Sequence, residues 1–157
     1  MQMYIFSDPI HSGKTTRLEQ WIKKTPAVDG ILTPVINGKR YIKFITSGEK
    51  YQLETDSQDA ASFQKIGNYK FRTDIFQKAE SYLINLIDNP PAWIVIDEIG
   101  FLELDGHGFE PAVSELIHRL DSAKDVHILI VVRDYLKEKV MDYYKLDTNE
   151  IFDFFPE

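Results

Sequence analysis

The sequence predicts an α/β fold of three layers, with a mostly parallel sheet, helices on both faces and an inserted antiparallel β-meander. Three observations predict it. Trp93-Ile94-Val95-Ile96 and His127-Ile128-Leu129-Ile130-Val131-Val132 are almost uninterrupted apolar runs, the pattern of strands buried on both faces of a parallel sheet. Segments with apolar residues at helical spacing alternate with these runs. Between residues 30 and 55 the pattern changes to short strands around Asn37-Gly38, a strong two-residue hairpin signal.

The elements follow in order. Met3-Tyr4-Ile5-Phe6 opens the chain as a short strand, and Ser7 to Gly13 carries several turn formers. Leu18, Trp21 and Ile22 then mark one face of a first helix. Gly30 to Ile36 and Arg40 to Ile45 flank the hairpin turn, Ser47-Gly48 offers a second turn, and Lys50 to Glu54 closes the meander. Pro34 belongs at an edge or an irregularity, because it has no N–H for a ladder. Residues 56 to 68 are polar and predict nothing definite. Ile75, Phe76, Ala79, Tyr82, Leu83, Leu86 and Ile87 predict an amphipathic helix that stops before Pro90-Pro91. After Pro111 a third helix carries Ala112, Val113, Leu116, Ile117 and Leu120. Tyr135 to Tyr144 predicts a last helix, and Ile151 to Phe154 a last short strand.

Composition narrows the function. A chain of 157 residues suits one domain, residues 1–157, with 30–55 as the insertion. Eighteen Lys and Arg against 25 Asp and Glu give a net charge of −7, which argues against nucleic acid and anionic membranes as partners. With no cysteine, disulfides, thiol nucleophiles and Cys-ligated zinc are excluded. No run approaches the roughly 18 apolar residues of a membrane span. Met1-Gln2-Met3-Tyr4 lacks the regions of a signal peptide, so a soluble cytoplasmic protein is expected.

Gly13-Lys14-Thr15 fits the second half of the phosphate-loop pattern G-x-x-x-x-G-K-[ST]. By chance the tripeptide turns up in roughly one chain in ten at this length. Its position between a predicted strand and an amphipathic helix is what gives it weight. Gly13 lets the backbone approach phosphate oxygens, and consecutive N–H groups with the helix N-terminus supply partial positive charge. Lys14 is expected to reach the β- and γ-phosphates and the Thr15 hydroxyl to bind Mg²⁺. The nucleotide-binding loop therefore comprises Asp8, Pro9, Ile10, His11, Ser12, Gly13, Lys14, Thr15 and Thr16, with Asp8 standing where the pattern has its first Gly.

Asp97 and Glu98 follow the apolar run that begins at Trp93, which puts two carboxylates at the C-terminal end of a buried strand, the edge where open α/β sheets bind ligands. Asp97 is expected to hold Mg²⁺ and Glu98 to orient and deprotonate the water that attacks the γ-phosphate. A strand that simply ends in solvated acids is the plain alternative.

Taken with Ser12 to Thr16, Gly30 to Pro34 running into Gly38 to Phe44, Ile66 to Phe71, and Ile96 to Leu104, the sequence resembles the small P-loop nucleoside-triphosphatases. These segments match in order and spacing over about the first two thirds of the chain. The most specific is Asp97-Glu98-Ile99-Gly100 continuing to Glu103-Leu104. The resemblance implies a slow, broad ATP or GTP hydrolase on a P-loop NTPase fold, with a catalytic glutamate beside the strand-end aspartate. It also implies a further strand between the P-loop strand and the acidic-pair strand. His127 to Val132 suits that position and leaves Arg133 at the ligand-facing end, as a sensor or finger-like arginine.

Other polar residues carry weaker expectations. His107, His118 and His127 read as loop, helix-surface and strand-start residues, and Glu103 as a brace for the loop after the acidic pair. Lys39 and Arg40 read as turn charges. Two alternatives to the hydrolase stay open: a nucleotide-binding switch with little turnover, and a P-loop kinase for a nucleoside or small molecule. No arginine-rich lid segment favours the kinase, and no Asn-Lys-x-Asp segment fixes GTP as the ligand.

Overall fold

Side chains of β1 (Gln2–Asp8) point alternately to two cores, Met3 and Ile5 to one and Tyr4 and Phe6 to the other. The computed structural model, which describes residues 1–8, 13–58, 62–147 and 151–153, repeats this division along every central strand. In β8 (Trp93–Ile99), Ile94 and Ile96 face one core and Val95 the other. In β9 (His127–Arg133), Ile128, Ile130 and Val132 oppose Leu129 and Val131. This two-sided burial explains why both strands read as continuous apolar runs.

The main sheet is ordered β10, β1, β9, β8, β2, β4, β3, where β2 is Val28–Leu32, β3 Val35–Ile36, β4 Lys39–Phe44 and β10 Ile151–Asp153; β5 (Lys50–Gln52) also pairs with β4. From β10 to β2 every neighbour is parallel. The strand expected between β1 and the acidic-pair strand is present as β9. On one face lies α1 (Lys14–Lys24), contributing Leu18, Trp21 and Ile22. On the other lie α2 (Thr73–Asn85), α4 (Ala112–Arg119) and α5 (Lys137–Tyr143). The three-layer α/β reading therefore holds.

The hairpin at Asn37-Gly38 forms as predicted, with both turn residues at positive φ, the signature of the turn whose twist matches antiparallel strands. One register runs through it, from Ile36 opposite Lys39 to Ile31 opposite Phe44. Pro34 interrupts the strand between β2 and β3, yet its carbonyl still accepts the Tyr41 N–H at 2.8 Å. One difference is instructive. The segment from Gly30 is not a detached meander strand, because the opposite edge of β2 pairs in parallel with β8. The hairpin thus extends the main sheet.

Four further features differ from expectation. β1 runs to Asp8, two residues beyond its apolar stretch, because Ser7 and Asp8 pair with Val132 and Arg133. A second hairpin, β6 (Phe63–Ile66) with β7 (Tyr69–Arg72), stands outside the main sheet. A short helix, α3 (Phe101–Leu104), follows β8, and the last helix starts with a 3₁₀ turn over Asp134–Leu136. Phe154 lies outside the described residues. At the N-terminal end of the sheet Trp21 meets Trp93 edge-on at 5.0 Å, and Trp93 also contacts Tyr4 at 4.9 Å and His127 at 4.5 Å. Among the described residues, no helix is long and apolar enough to cross a membrane.

Candidate functional site

Parallel neighbours end on the same edge of a sheet, so β1, β9 and β8 deliver their last residues side by side. Asp8 sits in register with Arg133, and Asp97 lies opposite Val131. Between Asp97 and Ile99 the register slips, which sets Glu98 out of the regular ladder. Residues far apart in sequence thereby share one edge.

Gly13 opens α1 at φ +79°, ψ +25°, a left-handed conformation that glycine adopts without the steric penalty of a Cβ. Among the described residues, nothing lies within 4 Å of where a Cβ would stand. The first turn of α1 contains no acidic residue, and its N–H groups have no partners within the helix. Thr15 is half-buried and Thr16 exposed in that turn. Lys14 begins the helix, and for it and Asp8 only the backbone is described. Pro9, Ile10, His11 and Ser12 lie outside the described residues. Arg17, one turn on, lies over the Phe6 ring with 5.3 Å from guanidinium carbon to centroid.

Asp97 is 4% exposed, whereas Glu98 is half-buried. Glu98 Oε1 lies 3.2 Å from Arg133 Nε, and Arg133 Nη1 donates to the Tyr135 hydroxyl at 3.2 Å. The Tyr135 hydrogen bond and the Glu98 charge outweigh desolvation and raise the Arg133 pKa above its ordinary value, so the guanidinium is always charged. The structure therefore brings Glu98 and Arg133 into contact beside the buried Asp97. In the sequence Tyr135 read only as the start of the last helix, with nothing to signal this contact.

The loop after the acidic pair is organised by Glu103. Its Oε1 accepts the Gly100 N–H at 2.9 Å and its Oε2 the Phe109 N–H at 3.2 Å. The side chain is buried, and burial pushes its carboxyl up to about 8 despite those backbone donors. Glu103 thus ties α3 to the start of the next segment, the bracing position its sequence context suggested. Gly108 N–H in turn donates to Gln64 Oε1 at 2.8 Å, which fastens the β6–β7 hairpin to this loop. Sequence alone gave Gln64 no role. Lys39 pairs with Asp56 at 2.6 Å, and Arg40 donates to the Thr33 carbonyl at 2.8 Å, so both turn charges are engaged within the fold.

Beside Glu98 and Arg133 opens a cleft of about 500 Å³, bounded by the first hairpin, β6–β7 and α3. Its walls are largely apolar, with Leu53, Tyr69, Phe71, Phe76, Phe101 and Phe109 among them.

A parallel sheet whose first strand precedes a helix opened by Gly13-Lys14-Thr15, with Asp97 and Glu98 near the C-terminal end of a nearby strand, is the α/β architecture of the P-loop NTPase class. Within that class, residues 4–156 match the NTPase_1 family, described as NTPase, and the chain belongs to it. The fold is similar to the crystal structure of THEP1 from the hyperthermophile Aquifex aeolicus, with a TM-score of 0.69 at 16% identity over 99% of this chain and 90% of that one. It is also similar to the solution structure of a human cancer-related nucleoside triphosphatase, with a TM-score of 0.63 at 20% identity over 98% and 87% of the two chains. No curated protein matches the sequence.

Proposed function

We propose that the protein is a Mg²⁺-dependent nucleoside-triphosphate hydrolase acting on ATP and GTP. The observation that carries this reading is the strand-end acidic pair, a buried Asp97 with Glu98 3.2 Å from Arg133, on the sheet edge where Gly13 opens α1. NTPase_1 membership and the P-loop fold support it.

In this reading the triphosphate lies on the backbone of the loop from Asp8 to Thr16, with Lys14 on the β- and γ-phosphates. Among the described residues no group of three or more His, Cys, Asp or Glu could hold a metal. Mg²⁺ is commonly held by one or two protein oxygens together with phosphates and water. The donors present are hard oxygens, and the Thr15 hydroxyl and the Asp97 carboxylate would hold the ion. Bound there, Mg²⁺ would supply positive charge against the charge developing on the transferring phosphoryl group.

Glu98 orients a water against the γ-phosphorus and takes its proton. That carboxylate also lies 3.2 Å from Arg133 Nε. A γ-phosphate brings competing negative charge to the same guanidinium, which draws Arg133 toward the phosphate and releases Glu98 to the water. Arg133 then stabilises charge on the transferring phosphoryl group.

The test is Mg²⁺-dependent phosphate release from ATP, GTP, CTP and UTP, with Lys14→Ala and Glu98→Gln alongside. Glu98→Gln should lose turnover by a factor of about 100 or more while still binding nucleotide, and Lys14→Ala should lose both. Unchanged turnover in Glu98→Gln removes it as the base. Nucleotide binding with no turnover in the wild type points instead to a nucleotide switch, a reading that the Glu98–Arg133 ion pair also accommodates.

A further inference from the structure

Hydrolysis needs only water on the far side of the γ-phosphate, and the cleft next to Glu98 is much larger and more apolar than that. Five large apolar or aromatic side chains are markedly exposed among the described residues, and three of them, Val35, Tyr69 and Phe101, line this one cleft. Tyr69 is 59% exposed and Phe101 44%, so both rings present free surface to a ligand. Leaving such rings in water forfeits the gain of burying them, and an apolar pocket with a few convergent polar groups is the usual form of a small-molecule site. The polar side chains among its lining include Glu98, Arg133, Arg40 and Glu54.

Position decides what the site takes. The strand order sets β9 and β8 between β1, which feeds the phosphate loop, and the β2, β4, β3 side of the sheet, where β3 and β4 border the cleft. A triphosphate with its γ-phosphate toward Asp97 and Glu98 carries its own base at the opposite end, beyond the α-phosphate. The cleft therefore opens at the γ-phosphate end, where an attacking group has to stand.

We propose that the cleft binds a nucleoside as a phosphoryl acceptor, so that transfer to a hydroxyl competes with hydrolysis. A flat base suits the Tyr69 and Phe101 faces, because base–aromatic stacking is favourable and tolerant of base identity. The sugar hydroxyl then reaches Glu98. Its oxygen bonds to the γ-phosphorus as the bond from that phosphorus to the β–γ bridging oxygen breaks. The hydroxyl proton passes to the Glu98 carboxylate, and the electron pair leaves with the nucleoside diphosphate. This inference rests on the hydrolase reading, since both use Glu98 and the same phosphate position.

The experiment follows ATP radiolabelled at its γ-phosphate, with Mg²⁺ and adenosine, guanosine, cytidine, uridine or thymidine in turn. Labelled nucleoside monophosphate should form beside labelled inorganic phosphate. The ratio of the two should fall at least about ten-fold in Tyr69→Ala and in Phe101→Ala, a loss of about 1.4 kcal/mol in acceptor binding. Reading the ratio cancels any loss of folded protein. Phosphate release with no labelled monophosphate from any of these nucleosides overturns the inference and leaves the hydrolase standing. An unchanged ratio in both variants also overturns it. A protein that binds no ATP and releases no phosphate overturns the hydrolase reading itself.

Discussion

At Gly30 the backbone of β2 passes so close to β8 that a Cβ would stand 2.0 Å from the Val95 carbonyl oxygen, and φ is +130°. Gly30→Ala combines backbone strain with overpacking, and the expected loss is about 2–5 kcal/mol in chemical denaturation. Glu103 supplies a pH-dependent term. Its folded pKa of about 8 lies above the ordinary 4.5, so between those values the folded state holds a proton that the unfolded state has lost. Stability from this group is therefore present at low pH and declines as pH rises toward 8, by at most about 1.4 kcal/mol per pH unit. Denaturation across that window should show a flatter profile for Glu103→Gln than for the wild type; parallel profiles would contradict the raised pKa. At this scale the sequence was most legible where composition changes abruptly. Asp97 and Glu98 stand out because they end an apolar run. The contact between Glu98 and Arg133 was not legible as such, since only the parallel order of β8 and β9 unites two residues on separate strands.

Among the elements, β9 has the most consequences, because it separates β1 from β8 and sets the spacing of the site edge. Ile130 at its centre is fully buried, and Ile130→Ala is expected to cost about 2–5 kcal/mol, read as a lowered denaturation midpoint. The β6–β7 hairpin lies at the other extreme. It stands outside the main sheet, and its strands are half-buried or exposed at every position. Native-state hydrogen exchange should show its amides opening at much lower free energy than those of β8 and β9; equal protection would contradict this. The same physics explains its illegibility. Phe63 to Arg72 mixes ring and charge with no buried face to impose strict alternation. The first hairpin was legible because its turn and its buried positions agree. Its merger with the parallel sheet was not, because β2 uses one edge for β4 and the other for β8.

For the whole molecule, charge and topology pull in different directions. A net charge of −7 repels a nucleoside triphosphate at long range, while the parallel edge gathers a helix N-terminus and Arg133 around one position. Counter-charge for the phosphates then has to come locally, and on the proposed reading Mg²⁺ supplies much of it. Chelating the metal with EDTA is accordingly expected to weaken ATP binding at least about ten-fold by calorimetry; metal-independent affinity would argue against the Thr15 and Asp97 assignment. The aromatic cluster at the other end of the sheet has a separate use. Both tryptophans of the chain belong to it, one on α1, which Gly13 opens, and one on β8, which carries Asp97 and Glu98. Ultraviolet emission from this protein therefore comes from a single locus spanning the two elements that carry the site. Their edge-on approach should couple the indoles as an exciton pair in near-ultraviolet circular dichroism. Any slip of α1 against β8 is thus optically visible in the unlabelled protein.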